Sequence, residues 1–421
     1  MSLDEAFARV VSEKEASLFR PSASQIDAAA REYGYIEIVA FPALDPLLAA
    51  AVAIRVLRAN DVGFSLRLEP VVPRTLEEPT LLLGYPASIA SEVVARRPSA
   101  LIGYGERPQG ILPIAVTASN DSSVAALTVG VFSEMAIVGG FAVYAIIAGY
   151  WRGMDRGKRA EFIGVENTII EMLRLENKVE NFFSLRLFRW PEVGTEDALR
   201  LTLEPFFPGV SGKREDALNY LRSDPRLEPL IGKTLTEAPE QAVAVLGERL
   251  YELLKATSRR PRRPTEVIGN VYYSRSNPLP DLKEAALVLA HYSAVGDPYR
   301  LVGLAVDEQG VAADAHYVYR KHFTDVVDYV EPLVAARLEQ RRKGRLLLAE
   351  LPGEVPSLPL VERILGLHGV IQDAIAYSGG RVLAESVLER HGYVALMEFL
   401  EKKCLEYIEG SIFMEVRDVE C

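Results

Sequence analysis

This chain has few of the residues from which thiolate or imidazole metal sites and disulfide frameworks are built. Its 421 residues include two cysteines and five histidines. Cys404 and Cys421 have no metal-ligand spacing and are too few for a disulfide framework, so a reducing, cytoplasmic compartment is expected. The scattered histidines form no His-x-x-x-His pair. Positive charge is also short: the net charge of -11 argues against a general nucleic-acid coat, because phosphate binding needs clustered cations. A local basic groove is still compatible with it. The scarcity of Asn and Gln beside abundant Arg and Glu suits a thermophilic source.

Long apolar runs are missing as well. The stretch Met1 to Arg9 is acidic and has no apolar core, so no secretory leader is expected. The one membrane candidate, Met135 to Trp151, is about 17 residues long, at the short limit for a span, and contains Gly139, Gly140 and Gly149. It reads as a buried core helix. Familiar phosphate and nucleophile motifs are absent too. Gly209-Val-Ser-Gly-Lys213 lacks the spacing and the following Ser or Thr of a P-loop, and Gly103-Tyr-Gly-Glu106 is not a dinucleotide turn. No Gly-x-Ser-x-Gly elbow occurs.

What is present describes a folded globular chain: 49% hydrophobic and 25% charged residues, long enough for two or three domains. Tyr35 to Ser133 organises it. The apolar run Tyr35–Phe41 breaks at Pro42-Ala-Leu-Asp45-Pro46 and is followed by an Ala-rich helix, Leu47 to Ala59. Further strands are expected at Phe64–Leu68, Thr80–Gly84, Ala100–Gly103 and Ile111–Thr117, with helices at Ile89–Arg97 and Val124–Glu134. Ser119 to Ser123 suits the start of the last helix. Strands alternating with helices predict a parallel α/β sheet, whose chemistry lies at the carboxyl ends of the strands. The first such loop offers one ionisable side chain, Asp45.

This order of elements resembles the DHH phosphoesterase superfamily, the group of RecJ-type nucleases. Active members carry His-x-Asp-x-Asp-Gly in the first loop, an Asp ending the third strand and Asp-His-His ending the fourth. Those residues hold two divalent metal ions. By the resemblance, the first motif falls on Phe41 to Pro46, the strand-ending Asp on Gly84, and Asp-His-His on Gly103, Tyr104 and Gly105. The helix start at Ser122-Ser123 fits the family pattern, and Asp155 stands about two residues from a further acidic position. Two Mg²⁺ or Mn²⁺ ions need several converging oxygen or imidazole ligands, and one clear carboxylate cannot supply them. The resemblance therefore implies a degenerate site with no metal and no cofactor.

The rest of the chain is more helical. Helices are expected at Leu3–Leu18, Gln25–Tyr33, Arg159–Phe183, Asp216–Leu221, Ala238–Lys255, Asp281–His291 and Ala315–Arg342, with strands at Val267–Tyr273 and Tyr299–Val306. Tyr272, Tyr273 and Trp190 read as core in preference to base-stacking platforms. The densest basic cluster is Ser258 to Pro264, where two prolines are expected to expose Arg259, Arg260, Arg262 and Arg263. Arg337 to Arg345 is a second basic run, placed at a helix C-terminus. The final α/β segment resembles the DHH-associated domain but has no Gly-Gly-Gly-His loop; its nearest counterpart is Glu389-Arg-His-Gly392.

The expected organisation is N-terminal helices over 1–34, a DHH-like domain with a helical insertion over 35–310, a connector helix over 311–343 and a DHH-associated-like domain over 344–421. The resemblance implies a catalytically degenerate RecJ-like protein, like the Cdc subunit of the CMG replicative helicase and its archaeal relatives. The implied partners are the GINS complex and, through it, the MCM helicase, with a secondary role in holding single-stranded DNA. Two other classes stand beside it. One is a metal-dependent single-strand exonuclease or phosphoesterase with a site rebuilt around Asp45, Asp121 and Asp155. The other is an unrelated α/β domain with a small-molecule pocket.

Overall fold

Strand segments such as Leu81-Leu82-Leu83 are apolar on both sides, which suits a parallel sheet covered on both faces. The computed structural model, which describes residues 10–135 and 138–417, contains such a sheet. Its strands are β1 (Tyr35–Ala40), β2 (Gly63–Leu68), β3 (Thr80–Pro86), β4 (Ala100–Tyr104) and β5 (Ala115–Ala118), in the order β2-β1-β3-β4-β5. Every neighbouring pair is parallel. The order reverses between β1 and β3, so the crevice in which α/β sheets place ligands opens beyond the end of β1.

Four helices complete the first part: α1 (Glu13–Tyr33), α2 (Leu44–Ala59), α3 (Val124–Ser133) and α4 (Val143–Trp151). Their side chains share one buried cluster with Ile38, Leu81, Leu83 and Ile102 of the sheet. Helices α2, α3 and α4 are buried nearly all round, as their unbroken apolar sequences require. Close approach needs small residues: a Cβ on Gly130 of α3 would lie 2.4 Å from the Phe19 ring of α1. Helix α1 is one element where two were expected. Its buried stripe of Phe19, Ala23, Ile26 and Ala29 continues past Pro21, and that burial outweighs the missing proline N–H. Ser12 and Glu15 cap its start reciprocally. Residues 3–9 of the expected first helix lie outside the described residues. The helix expected at Ile89–Arg97 is instead a 3-10 turn, Ala87–Ser91, and a two-residue strand, Val94–Ala95, paired with Thr75–Leu76.

The middle of the chain adds α5 (Val165–Leu175), β6 (Glu180–Leu185), α6 (Thr195–Leu201), α7 (Arg214–Arg222), α8 (Glu240–Thr257) and β7 (Ile268–Tyr273). The long helix expected over Arg159–Phe183 stops at α5. Asn177 takes a left-handed φ of 56° and the chain returns as β6, antiparallel to β7. Trp190, Tyr272 and Tyr273 are core residues. Next come α9 (Leu282–Val295) and α10 (Glu308–Ala335). The strand expected at Tyr299–Val306 is helical, because Asp297 caps the Tyr299 N–H and Pro298 is preset for a first helical turn.

The last segment holds β8 (Gln340–Lys343), β9 (Leu346–Glu350), α11 (Leu358–Leu367), β10 (Ile375–Tyr377), β11 (Arg381–Leu383), α12 (Ala384–Glu401), β12 (Leu405–Tyr407) and β13 (Phe413–Val416). The second basic run does not end a helix. Helix α10 stops at Ala335, and Gly344, at φ 58°, turns Gln340–Lys343 back onto β9 as a hairpin. Leu346, Ile375, Val382 and Phe399 join the buried cluster on the sheet's other face, with Val39, Leu82, Leu101 and Val116. No helix among the described residues is long and apolar enough to cross a membrane.

Candidate functional site at the sheet switch point

Asp45 stands in the first turn of α2, just beyond the end of β1, and is fully buried. Both of its carboxylate oxygens are occupied. Oδ1 accepts the Ala125 N–H at 2.9 Å, while Oδ2 accepts the Val124 N–H at 2.9 Å and the Tyr104 hydroxyl at 3.0 Å. These amides are the free donors of the α3 N-terminus, the part of a helix best suited to an anion. A second carboxylate closes the same helix end: Glu166 of α5 accepts the Ser123 N–H at 2.7 Å. Ser123 caps the Ala126 N–H and Ser122 accepts the Val165 N–H, which ties α3 to α5. The donors at this helix end thus face the protein's own carboxylates.

Two of the positions singled out by the resemblance, Gly84 and Gly103, are closed by packing. Gly84 ends the core of β3 with φ 83°, and a Cβ there would fall 2.2 Å from the Pro46 ring. At Gly103 a Cβ would fall 1.9 Å from the Tyr85 carbonyl oxygen. Neither position has space for an Asp or His side chain without moving the backbone around it. Gly105 has open space but takes φ 92°, a left-handed conformation that favours glycine.

The cation beside Asp45 is the protein's own Arg152. Its guanidinium stacks on the Tyr104 ring at 4.8 Å and pairs with Glu385, at 3.6 Å, and Glu389 of α12. Trp151 also donates to Glu385, at 3.0 Å. Burial opposes the charge of Arg152, but Tyr104, Glu389, Glu385 and Asp45 hold it protonated. Burial raises Asp45 above the usual carboxylate range, against the pull of Arg152 and the three hydrogen bonds. Burial pushes Glu166 up to about 8, against the hydrogen bonds from Ser123. Glu385 is raised by burial and by its neighbour Glu389. Asp45, Tyr104, Arg152 and Glu385 therefore form a seam between the parallel sheet and the C-terminal segment.

The remaining expected residues lie elsewhere. Asp155 pairs with the buried Arg186, and the exposed Asp121 pairs with Arg156 at 2.8 Å. Among the described residues no three His, Cys, Asp or Glu gather closely enough to hold a metal ion, so Asp45, Asp121 and Asp155 form no rebuilt centre. This donor set does not fit a pair of divalent ions. The basic stretch is not a freely exposed loop either. Arg259 donates to the Ala335 and Ala336 carbonyls, while Arg260 and Arg262 reach the Leu367 carbonyl. Arg262 is buried and pairs with Glu266 at 2.7 Å, and Arg263 remains exposed. The stretch straps the C-terminal ends of α10 and α11, whose free carbonyls attract cations.

Sequence reading missed Arg152, Glu166 and Glu385. Each sits in an ordinary helical context, and only the fold brings it to the switch point.

No family model and no curated protein sequence matches this chain. Solved structures do. The CDC45 of Entamoeba histolytica matches with a TM-score of 0.57 at 9% identity, over 95% of each chain. A RecJ from Thermus thermophilus in complex with Mn²⁺ gives 0.43 at 12% identity, over 95% of this chain and 52% of that one. An exonuclease RecJ bound to manganese gives 0.42 at 11%, over 95% of this chain and 90% of that one. Over 95% of its length, this chain therefore shares the fold of the Entamoeba histolytica CDC45 structure.

Proposed function

We propose that this chain is a non-catalytic RecJ-like subunit of a DNA replication assembly. In this reading it scaffolds the GINS complex and, through it, the MCM helicase, with a secondary hold on single-stranded DNA. The observation that carries the non-catalytic part is the occupancy of Asp45. Its oxygens accept the Val124 and Ala125 amides and the Tyr104 hydroxyl, and Arg152 supplies the neighbouring positive charge. A fully buried carboxylate that already accepts three hydrogen bonds has little acceptor capacity left for a metal ion. The replication part rests on likeness of fold to CDC45.

Two measurements test it. Tagged protein, recovered from its native cell at physiological salt after nuclease treatment, is expected to bring GINS and MCM subunits with it. Recovery of neither would remove the replisome role. Purified protein with Mn²⁺ and end-labelled single-stranded DNA is expected to leave the label intact. Degradation that disappears in Asp45→Ala would make the chain an exonuclease instead.

A further inference from the structure

Away from Asp45, a cavity of about 170 Å³ opens where the middle segment, the arginine strap and α11 meet. Six cationic side chains line it: Arg186, Arg260, Arg262, Arg263, Lys283 and Arg363. Only three carboxylates, Asp155, Glu204 and Glu266, face them. In a protein of net charge -11, that local excess runs against the whole molecule.

The carboxylates are shared. Glu204 serves Arg363, in a two-pronged pair, and Lys283 at 3.8 Å. Glu266 serves Arg262 at 2.7 Å and Arg260 at 3.6 Å, and Asp155 is taken by Arg186. Three of the cations, Arg186, Arg262 and Lys283, are buried to 7% exposure or less. The Nε of Arg186 and that of Arg262 are buried and find no acceptor among the described residues. Buried cations are ordinarily matched by carboxylates or another anion, and buried donors by acceptors.

We infer that this cavity is a binding site for one tetrahedral oxyanion, a phosphate or sulfate group held by Arg186, Arg262, Arg263 and Lys283. Guanidinium donors match such an anion, and each bond to it is charge-assisted. Size supports the same class. The cavity is smaller than the ~300–1,000 Å³ of sites for drug-sized ligands, so it admits the oxyanion but not an attached nucleoside. The inference is independent of the replication role.

Lys283 supplies the pH dependence. It faces Glu204, with Arg186, Asp155 and Arg363 nearby, and burial followed by the charge of Arg186 pushes its ammonium down to about 8. Above that pH the site loses one positive charge. Sulfate, whose own charge is constant there, is the cleaner probe.

The test is titration of the full chain with sodium sulfate and with inorganic phosphate, at ionic strength held constant with chloride, followed by calorimetry and by melting temperature. Saturable binding and a raised Tm are expected. Arg263→Gln, at an exposed position that should not disturb folding, and Lys283→Met are each expected to weaken binding about tenfold. Sulfate affinity should fall between about pH 7 and 9.5 in the wild type and hold in Lys283→Arg. A nucleoside monophosphate distinguishes the two sources of the group. Binding as tight as that of phosphate assigns an anion carried on a larger molecule, with the nucleoside outside, and much weaker binding assigns the free anion. No saturable binding to the wild type, or undiminished binding in both weakened variants, overturns the site.

Discussion

Asp45 owes its present role to the two amides that point at it. The Val124 and Ala125 N–H groups need acceptors, and one carboxylate supplies both. An Asn there keeps one acceptor oxygen and turns its NH₂ against the other amide. Asp45→Asn is therefore expected to cost ~1–3 kcal/mol, seen in urea as a lower midpoint at unchanged slope. Mn²⁺ should leave the wild-type midpoint where it is. A rise that the variant abolishes would mean that Asp45 binds the ion. Glu166 gives a pH prediction. Its folded value is raised from 4.5 to about 8, so the folded state favours the protonated form. That contribution is complete below about 4.5 and is lost as pH rises through about 8. Gln keeps the neutral form at every pH. The gap between Glu166→Gln and wild type should thus move in the variant's favour by at least ~1 kcal/mol from roughly pH 5 to 9. Glu284, at about 8, and Glu362, at about 7, are raised in the same direction, so the readout is the difference between the two proteins.

At the scale of elements, two glycines at the end of β4 separate packing from backbone strain. Gly103→Ala drives a Cβ to 1.9 Å from the Tyr85 carbonyl, which belongs to the neighbouring strand and cannot rotate away. A loss of ~2 kcal/mol or more is expected. Gly105→Ala meets open space and bears only its left-handed φ, so ~1 kcal/mol is expected. Denaturant midpoints of the two variants, measured side by side, should differ in that order. These strands were legible in the sequence because their apolar runs are short and bounded by Gly and Pro. The helix–strand boundaries beyond Met135 were less so. An amphipathic pattern ran on from α5 into β6, and the turn at Asn177 carries neither Gly nor Pro. The arginine strap was legible as charge but not as a contact, since its acceptors, the carbonyls of Ala335, Ala336 and Leu367, lie 76 to 107 residues away.

For the whole molecule, Arg363 of α11 is a junction. It holds Glu204 from the middle segment and the carbonyls of Tyr150 and Trp151 at the end of α4, with N···O distances of 3.0 and 2.7 Å. Arg363→Ala leaves Glu204 buried with Lys283, at 3.8 Å, as its only direct ion partner among the described residues. A loss of ~3–5 kcal/mol is expected. Calorimetry should resolve the C-terminal segment as a separate, earlier transition, and a single transition of unchanged Tm would deny Arg363 this role.

The sequence alone determined the α/β alternation, because hydrophobic period and turn residues are local properties. It also determined how few cysteines and histidines there are, because composition needs no coordinates. Tertiary structure decided what the residues at the switch point do. Asp45 is a helix cap, Gly84 and Gly103 are points of close approach, Arg152 and Glu385 join the seam to the C-terminal segment, and Glu166 closes the N-terminus of α3. Partners so distant along the chain meet only through the packed core, and no pattern of neighbouring residues encodes such a meeting.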